Sequence, residues 1–337
     1  MQSGRQKGIE SLYVLKAICA FFVVCIHIPL PVPVLEPFLG VGVPCFLCIS
    51  GYLLYSADRR VELGKCIAWA KKAFFLAIAL NIINGTISSF ILGKNVFIAD
   101  WVVYVKTIFL GTGICGVLWY LHALGQALLV MWLVLRFRPQ LVTLLPILFI
   151  AAHLISVYET GTTLDIGVPI HLSALRHTFL TISLPCIATG YLIHQYKEPL
   201  LKSLKVELWL LCFVIAAALE HLLRIELCGS SCIYLLATYP LVVFLMLICA
   251  KYDNYPMPFI SGLGRLHSPN IYYFHGLIIM YLCEIGVPDC YGLVLAFCVY
   301  IACIPFSYMF NLVSRFWKTS IWRPFMRVLA SRISCVR

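Results

Sequence analysis

Hydrophobic runs long enough to cross a bilayer recur along the whole chain. A spanning helix needs about 20 mostly apolar residues. Ten such runs are present, at 10–28, 39–56, 70–92, 117–135, 141–157, 176–195, 206–223, 232–250, 270–286 and 291–313. A stretch near 101–111 is too short to cross and is expected at the interface or as a re-entrant segment. No strand-like alternation is long enough for a barrel, so the pattern predicts an all-α polytopic helical bundle.

Composition strengthens this prediction. Hydrophobic residues make up 62% of the 337 residues and charged residues only 12%, about half the charge of a soluble domain. We expect a single membrane domain over 1–337 with a basic tail at about 314–337, surrounded by membrane lipids. The first run ends in His27, Ile28 and Pro29 rather than at a small-residue cleavage site, so no cleaved signal peptide is expected.

The distribution of positive charge predicts the orientation. The net charge of +11 would suit a nucleic-acid partner, but the basic residues lie in short loops between the runs, so we expect none. With a cytoplasmic N-terminus, twenty of the 25 Lys and Arg residues fall on the inside and four on the outside. This positive-inside bias predicts cytoplasmic termini in a multi-pass protein. We expect the cell (inner or plasma) membrane as its location.

The first run contains two costly polar residues, Lys16 and His27. Eleven helical steps make three turns plus about 20° and climb about 16 Å, so both side chains leave one face at different depths. A lysine inside a span costs about 2.5–3.5 kcal/mol on insertion scales, and such groups usually face a protein interior or a wet cavity. The spacing therefore predicts a polar track along the first helix.

Other polar residues are expected at two depths along this track. The inner level is predicted to hold Lys16, Ser50 and His275, and the outer level His27, His122 and Arg176. A structural interpretation stays open for each: a lone membrane histidine often only bonds a neighbouring helix, and a Ser-Gly pair often only permits close packing. Glu220 and Arg224 have the spacing of a structural helix ion pair.

The 16 cysteines lie mostly within apolar runs, where cysteine behaves as a small hydrophobe. Cys228 and Cys232 fall in a predicted external loop, and whether they pair in an oxidising compartment stays open. No cysteine or histidine spacing is typical of a metal site, so no metal is expected.

Five segments together resemble the acyltransferase 3 family, integral membrane acyltransferases that decorate surface glycans. LKAICAFFVVCIHI is similar to its first-helix signature, a Lys or Arg followed eleven residues later by His. The other similar segments follow in order: GVPCFLCISGYLLY, LWYLHALG, RHTFLTISLPCIATGYLI and LGRLHSPNIYYFHGLII. One departure is the third helix, where the family often has Arg-x-x-Arg and this chain has the adjacent Lys71 and Lys72.

The resemblance implies transfer of an acyl group, most often acetyl, from cytoplasmic acyl-CoA to a hydroxyl of a surface glycan or lipid-linked saccharide. Acyl-CoA is then a co-substrate, and no bound cofactor is implied. Because the CoA phosphates are polyanionic, the inner basic residues are candidate ligands for them. These residues are Arg59, Arg60, Lys65, Lys71 and Lys72.

A sugar hydroxyl needs a base as it attacks, and histidine suits that role near neutral pH. His27 is the candidate base, with a transient acyl-histidine as the alternative. Lys16 is expected to stabilise negative charge or position the donor, and Ser50 to donate a hydrogen bond. We expect the acceptor to face His122 and Arg176, with His275 in support.

A transporter or flippase is the main rival, since ionisable groups within spans also mark transport paths. No inverted repeat or matched pair of broken helices supports it in the sequence. A requirement for acyl-CoA separates the two. A non-catalytic scaffold is the third possibility, and it predicts that Lys16 and His27 tolerate leucine.

Overall fold

The computed structural model describes residues 10–29, 35–93, 116–157, 163–165, 169–171, 175, 178–228, 234–253, 257–287 and 292–316. Twelve α-helices occur in these segments. They are α1 (Glu10–Ile26), α2 (Glu36–Leu39), α3 (Gly42–Leu54), α4 (Arg59–Leu92), α5 (Trp119–Phe137), α6 (Phe149–Val157), α7 (Leu184–Ser203), α8 (Val206–Cys228), α9 (Thr238–Lys251), α10 (Pro258–Leu266), α11 (Ser268–Glu284) and α12 (Gly292–Phe316).

Short irregular elements complete the described chain. Tight 3-10 turns at Gly116–Leu118, Pro139–Thr143 and Leu145–Leu148 precede helices, and a π turn at Phe179–Ser183 leads into α7. Two three-residue strands, β1 (Thr163–Asp165) and β2 (Pro169–His171), pair antiparallel with Thr163 opposite His171. The predicted helical class is thus confirmed, with one small hairpin added.

Each of the ten predicted runs overlaps helical structure, and five helical stretches are long and apolar enough to cross a membrane. These are Glu36–Leu54, Arg59–Leu92, Gly116–Phe137, Val206–Leu227 and Gly292–Phe316. The count of ten spans and the cytoplasmic position of both termini stay predictions. The stretch near 101–111 and most of the basic tail lie outside the described residues.

The helix boundaries differ most from prediction at α4, which begins at Arg59 rather than near 70. The Asp58 side chain accepts a hydrogen bond from the Arg60 N–H at 2.8 Å and so caps the helix. Gly93, with φ of +62°, ends it. Hydropathy misses this start because the first turns are polar, although their backbone is fully helical.

The centre of the bundle is the crossing of α3 and α7, where two glycines face each other's backbone. A Cβ at Gly51 would overlap the carbonyl of Ile187, and a Cβ at Gly190 would overlap the carbonyl of Cys48. Such close approach requires small residues on both helices. The structural interpretation of the Ser-Gly pair is therefore confirmed for Gly51.

The outer helices present apolar side chains away from the protein. In the spanning stretches, 83% of the α2–α3 segment is buried inside the bundle but only 17% of α8. Large exposed hydrophobic residues such as Phe75 and Phe90 on α4 and Leu227 on α8 are the surface that a bilayer would cover. The bundle thus has a packed centre and a lipid-facing rim.

A break between α10 and α11 positions the site. α10 lies tightly on α1, because a Cβ at Gly264 would overlap the Tyr13 carbonyl. The chain bends at His267, and α11 continues along α1 with Pro269 in its first turn. Residues of α11 therefore reach the far end of α1, where His27 follows Ile26.

Candidate active site

A cavity of about 290 Å³ opens between α1, α3, α4, α5 and α11. Its polar lining includes Lys16 of α1, Ser50 of α3, Lys72 of α4, Tyr120 of α5 and Tyr272 of α11. Each comes from a different helix, so the cavity exists only when the bundle is assembled.

Helical periodicity explains the wall that α4 supplies. Trp69, Lys72, Ala73 and Leu76 line the cavity, and their spacings of three and four residues place them on one helix face. α5 contributes Tyr120, Leu121, Leu124 and Leu128 in the same way. Most of the lining is therefore apolar.

The cavity is positively charged. Lys16 and Lys72 line it, and none of its described lining residues carries a carboxylate. The Lys16 ammonium lies 5.8 Å from the centre of the Tyr13 ring, a weak cation–π contact. Two ammonium groups in a largely apolar enclosure suit a ligand with phosphate groups and an apolar arm.

Hydroxyl groups in the wall are held by local hydrogen bonds. Ser50 donates to the Phe46 carbonyl at 3.0 Å. The Tyr272 hydroxyl donates to the carbonyl of Val117. The Tyr272 ring packs against the Tyr120 ring, with ring centres 5.1 Å apart.

At the far end of α1, two histidines meet. The ring centres of His27 and His275 lie 5.1 Å apart with an interplanar angle of 37°. His27 is exposed, whereas His275 is completely buried. The site thus pairs one accessible imidazole with one sealed imidazole.

Tyr272 connects the cavity to this histidine pair. Its ring lines the cavity and its centre lies 5.8 Å from that of His275. His27 itself is absent from the cavity lining within the described part of the chain. Between the cavity and His27, the described structure has the side chains of Tyr272 and His275, both from α11.

The depth predicted for His275 is wrong. We expected it level with Lys16, yet its ring contacts His27, which lies eleven residues along α1 from Lys16. The predicted span begins at 270, which would place His275 near its start. In the structure, α10 already begins at Pro258 and α11 follows the bend at His267. His275 therefore lies farther along α1 than predicted.

His122 does not join the described site. The buried His122 ring lies between α4 and α5, with Nε2 at 3.4 Å from the Asn81 amide nitrogen. It is not among the cavity-lining residues that the structure describes. Arg176 lies outside the described residues, as does Cys232, and nothing is described of the Cys228 side chain.

The five predicted phosphate ligands differ in their surroundings. Arg59 donates to the buried carboxylate of Glu62 at 2.8 Å, and that carboxylate also accepts from Tyr191 at 3.0 Å. The Lys65 ammonium donates to the Leu53 carbonyl at 2.9 Å, at the end of α3. Both cations therefore already have structural partners.

The remaining three cations are exposed: Arg60, Lys71 and Lys72. Of the five, only Lys72 lines the cavity among the residues that the structure describes. Lys71 and Lys72 stand where the family often has two spaced arginines. Of this adjacent pair, Lys72 lines the cavity.

Five aromatic residues of the cavity wall were not predicted from the sequence: Phe46, Trp69, Tyr120, Tyr272 and Tyr273. Tyr120 lies two residues before His122, and Tyr272 lies three residues before His275, within segments that were singled out for their histidines. An aromatic residue in an apolar run gives no signal of which helix face it occupies, so only packing identifies these residues.

Two further expectations concern other groups. The Glu220 carboxylate accepts from the backbone N–H groups of Leu236 and Ala237 at 2.7 and 2.9 Å, so it caps the start of α9. Within the described segments, no group of three or more His, Cys, Asp or Glu residues could hold a metal ion.

Comparison with known proteins gives one result. Residues 9–312 match the family model of the acyltransferase 3 family, described as an acyltransferase domain. No curated protein and no solved structure matches the chain significantly. Because the match covers nearly the whole chain and the structure is a bundle of apolar helices, this protein belongs to the acyltransferase 3 family and is a membrane acyltransferase.

Proposed function

We propose that the protein transfers an acyl group, most often acetyl, from cytoplasmic acyl-CoA to a hydroxyl of a cell-surface or lipid-linked glycan. The observation that carries this proposal is the lysine-lined cavity with Tyr272 in its wall, next to the histidine pair. A basic compartment for an anionic donor thus lies next to an accessible imidazole.

The donor would enter at the Lys16 and Lys72 side of the cavity. About 290 Å³ is at the small end of ligand pockets. We infer that the cavity takes the acyl-pantetheine arm, while the nucleotide phosphates stay near the exposed Lys72. Positive charge without a carboxylate in the lining favours this anionic ligand over a neutral saccharide.

His27 would act as the general base. The sugar hydroxyl attacks the thioester carbonyl and loses its proton to His27. The carbon–sulfur bond then breaks, and the CoA thiolate recovers a proton from the imidazolium. His27 is the exposed member of the pair, which is what access by a saccharide requires.

Lys16 would position the donor rather than stabilise the reacting carbonyl. Eleven helical residues place Lys16 about 16 Å from His27 along α1, a separation too large for both side chains to reach one carbon atom. Ser50, which donates to its own helix, and Tyr120 would keep the cavity wall in shape around the donor arm.

The test uses membranes that contain the protein, radiolabelled acetyl-CoA and the surface glycan of the host. We expect label to move to glycan and free CoA to appear, and mass spectrometry of the glycan to show an added acetyl group. Control membranes carry the His27→Ala protein. Glycan movement across the membrane that is indifferent to acyl-CoA would instead support the transporter.

A further inference from the structure

We propose that His275 is a positioning residue: a turn of the adjacent His27 ring lets His27 donate a hydrogen bond to the unpaired Nε2 of His275, which selects the nitrogen of His27 that faces the substrate. The inference rests on the proposed function of His27 as base. It adds a second residue to the chemistry, one that never touches the substrate.

The tautomer of His275 follows from its helix. Its Nδ1 lies 2.9 Å from the Tyr272 carbonyl and 3.2 Å from the Ile271 carbonyl. Because carbonyl oxygens only accept, Nδ1 must carry the proton. In a neutral imidazole the other nitrogen, Nε2, then has a free lone pair.

That lone pair needs a donor from the protein. Nε2 of His275 is buried without a hydrogen-bond partner in the described part of the structure. An acceptor sealed in this way is destabilising when it stays unsatisfied. Because the residue has no solvent exposure, neither water nor a sugar hydroxyl reaches it.

His27 is the neighbour that fits. Imidazole nitrogens lie about 1.1 Å from the ring centre, so two rings at 5.1 Å allow nitrogens to approach to about 3 Å, the usual hydrogen-bond length. The other ring close to His275 is Tyr272, and its hydroxyl already donates to the Val117 carbonyl.

This contact would orient the base. With one N–H of His27 directed at His275, the other nitrogen keeps its lone pair on the accessible side, ready to take the hydroxyl proton. The imidazolium that forms would be stabilised by the same bond. Serine hydrolases use a carboxylate in this position, whereas a neutral imidazole needs no buried charge.

Kinetics of the purified protein in nanodiscs test the proposal with acetyl-CoA and the glycan acceptor. For His275→Leu we expect kcat to fall about 100-fold, with KM for acetyl-CoA within about twofold of wild type. His275→Gln retains an acceptor oxygen near the position of Nε2, and we expect it to recover at least about tenfold over the leucine variant.

The matched control is His194→Leu. His194 also holds a backbone carbonyl, that of Tyr52, at 2.6 Å, but its ring stacks on tyrosine instead of histidine. We expect kcat within about threefold of wild type. Wild-type kcat in His275→Leu, or equal loss in the leucine and glutamine variants, would overturn the positioning role.

Nitrogen-15 NMR of histidine-labelled protein gives a readout that needs no turnover. His27, assigned by its loss in His27→Ala, should occupy one tautomer in wild type and a mixture in His275→Leu. A mixture already in wild type overturns the inference. A single tautomer in a protein that never consumes acyl-CoA would uphold the contact and contradict the proposed function instead.

Discussion

Lys16 within α1 and His27 just after its last residue are the two costly polar residues of the first hydrophobic run, and the bundle surrounds them in opposite ways. Lys16 lines a cavity whose described lining residues include a second lysine and no acid. His27 is exposed but contacts a fully buried imidazole. Under the proposed function, the lysines of the cavity would bind the anionic donor, and His275 would orient His27 as the base.

His27→Ala should produce the largest effect, and it removes one imidazole of the histidine pair. We expect kcat to fall about 1,000-fold, the scale of a lost general base, while KM for acetyl-CoA stays within about threefold. Size-exclusion chromatography confirms the fold. A well-folded variant with wild-type turnover would remove His27 from the mechanism.

Lys16→Met tests the cavity, and we expect it to change KM rather than kcat. Removing a charged hydrogen-bond donor costs about 1.5–3 kcal/mol, so we expect KM for acetyl-CoA to rise about 10–100-fold with a smaller change in kcat. Lys16→Arg keeps the charge and should recover most of the affinity. A fall in kcat at constant KM would assign Lys16 to the chemistry.

Lys72 and Lys71 offer a matched comparison of adjacent exposed lysines. We expect Lys72→Gln to raise KM for acetyl-CoA about fivefold at low salt, and Lys71→Gln to leave it unchanged, because Lys72 is the member that lines the cavity. Since exposed charges are screened, the Lys72 effect should shrink at high ionic strength. Equal effects of the two variants would argue for a diffuse basic surface.

Ser50→Ala should have the smallest effect. It removes a neutral hydrogen bond to the helix backbone, worth about 0.5–1.5 kcal/mol. We expect kcat/KM to fall about threefold. A loss above 100-fold would show that the hydroxyl contacts the reacting carbonyl, contrary to its placement in the cavity wall.

The sequence predicts the first helix well because Lys16 lies within α1 and His27 directly follows its last residue, Ile26. Helical geometry up to Ile26 therefore sets most of the separation between the two residues without knowledge of any neighbour. The acyltransferase 3 resemblance also depends on linear order, and the family match over residues 9–312 confirms it.

Prediction fails where a residue's role depends on a neighbouring helix. Arg59 and Lys65 are candidate phosphate ligands by sequence. In the structure, Arg59 bonds Glu62 and Lys65 bonds the end of α3. The sequence predicts His275 at the inner level, beside Lys16. In the structure, the break at His267 and the close approach of Gly264 to Tyr13 place it next to His27 instead.

The sequence by itself determined the all-helical architecture with membrane-length apolar helices, and the family. Each of these depends on local composition or on spacing within one segment. Only the tertiary structure showed that Lys72 lines the cavity and that His275 lies next to His27. Close packing at glycines and a helix break set the register of one helix against another. These are contacts between distant parts of the chain, so the relative position of two helices along their axes does not follow from the linear sequence.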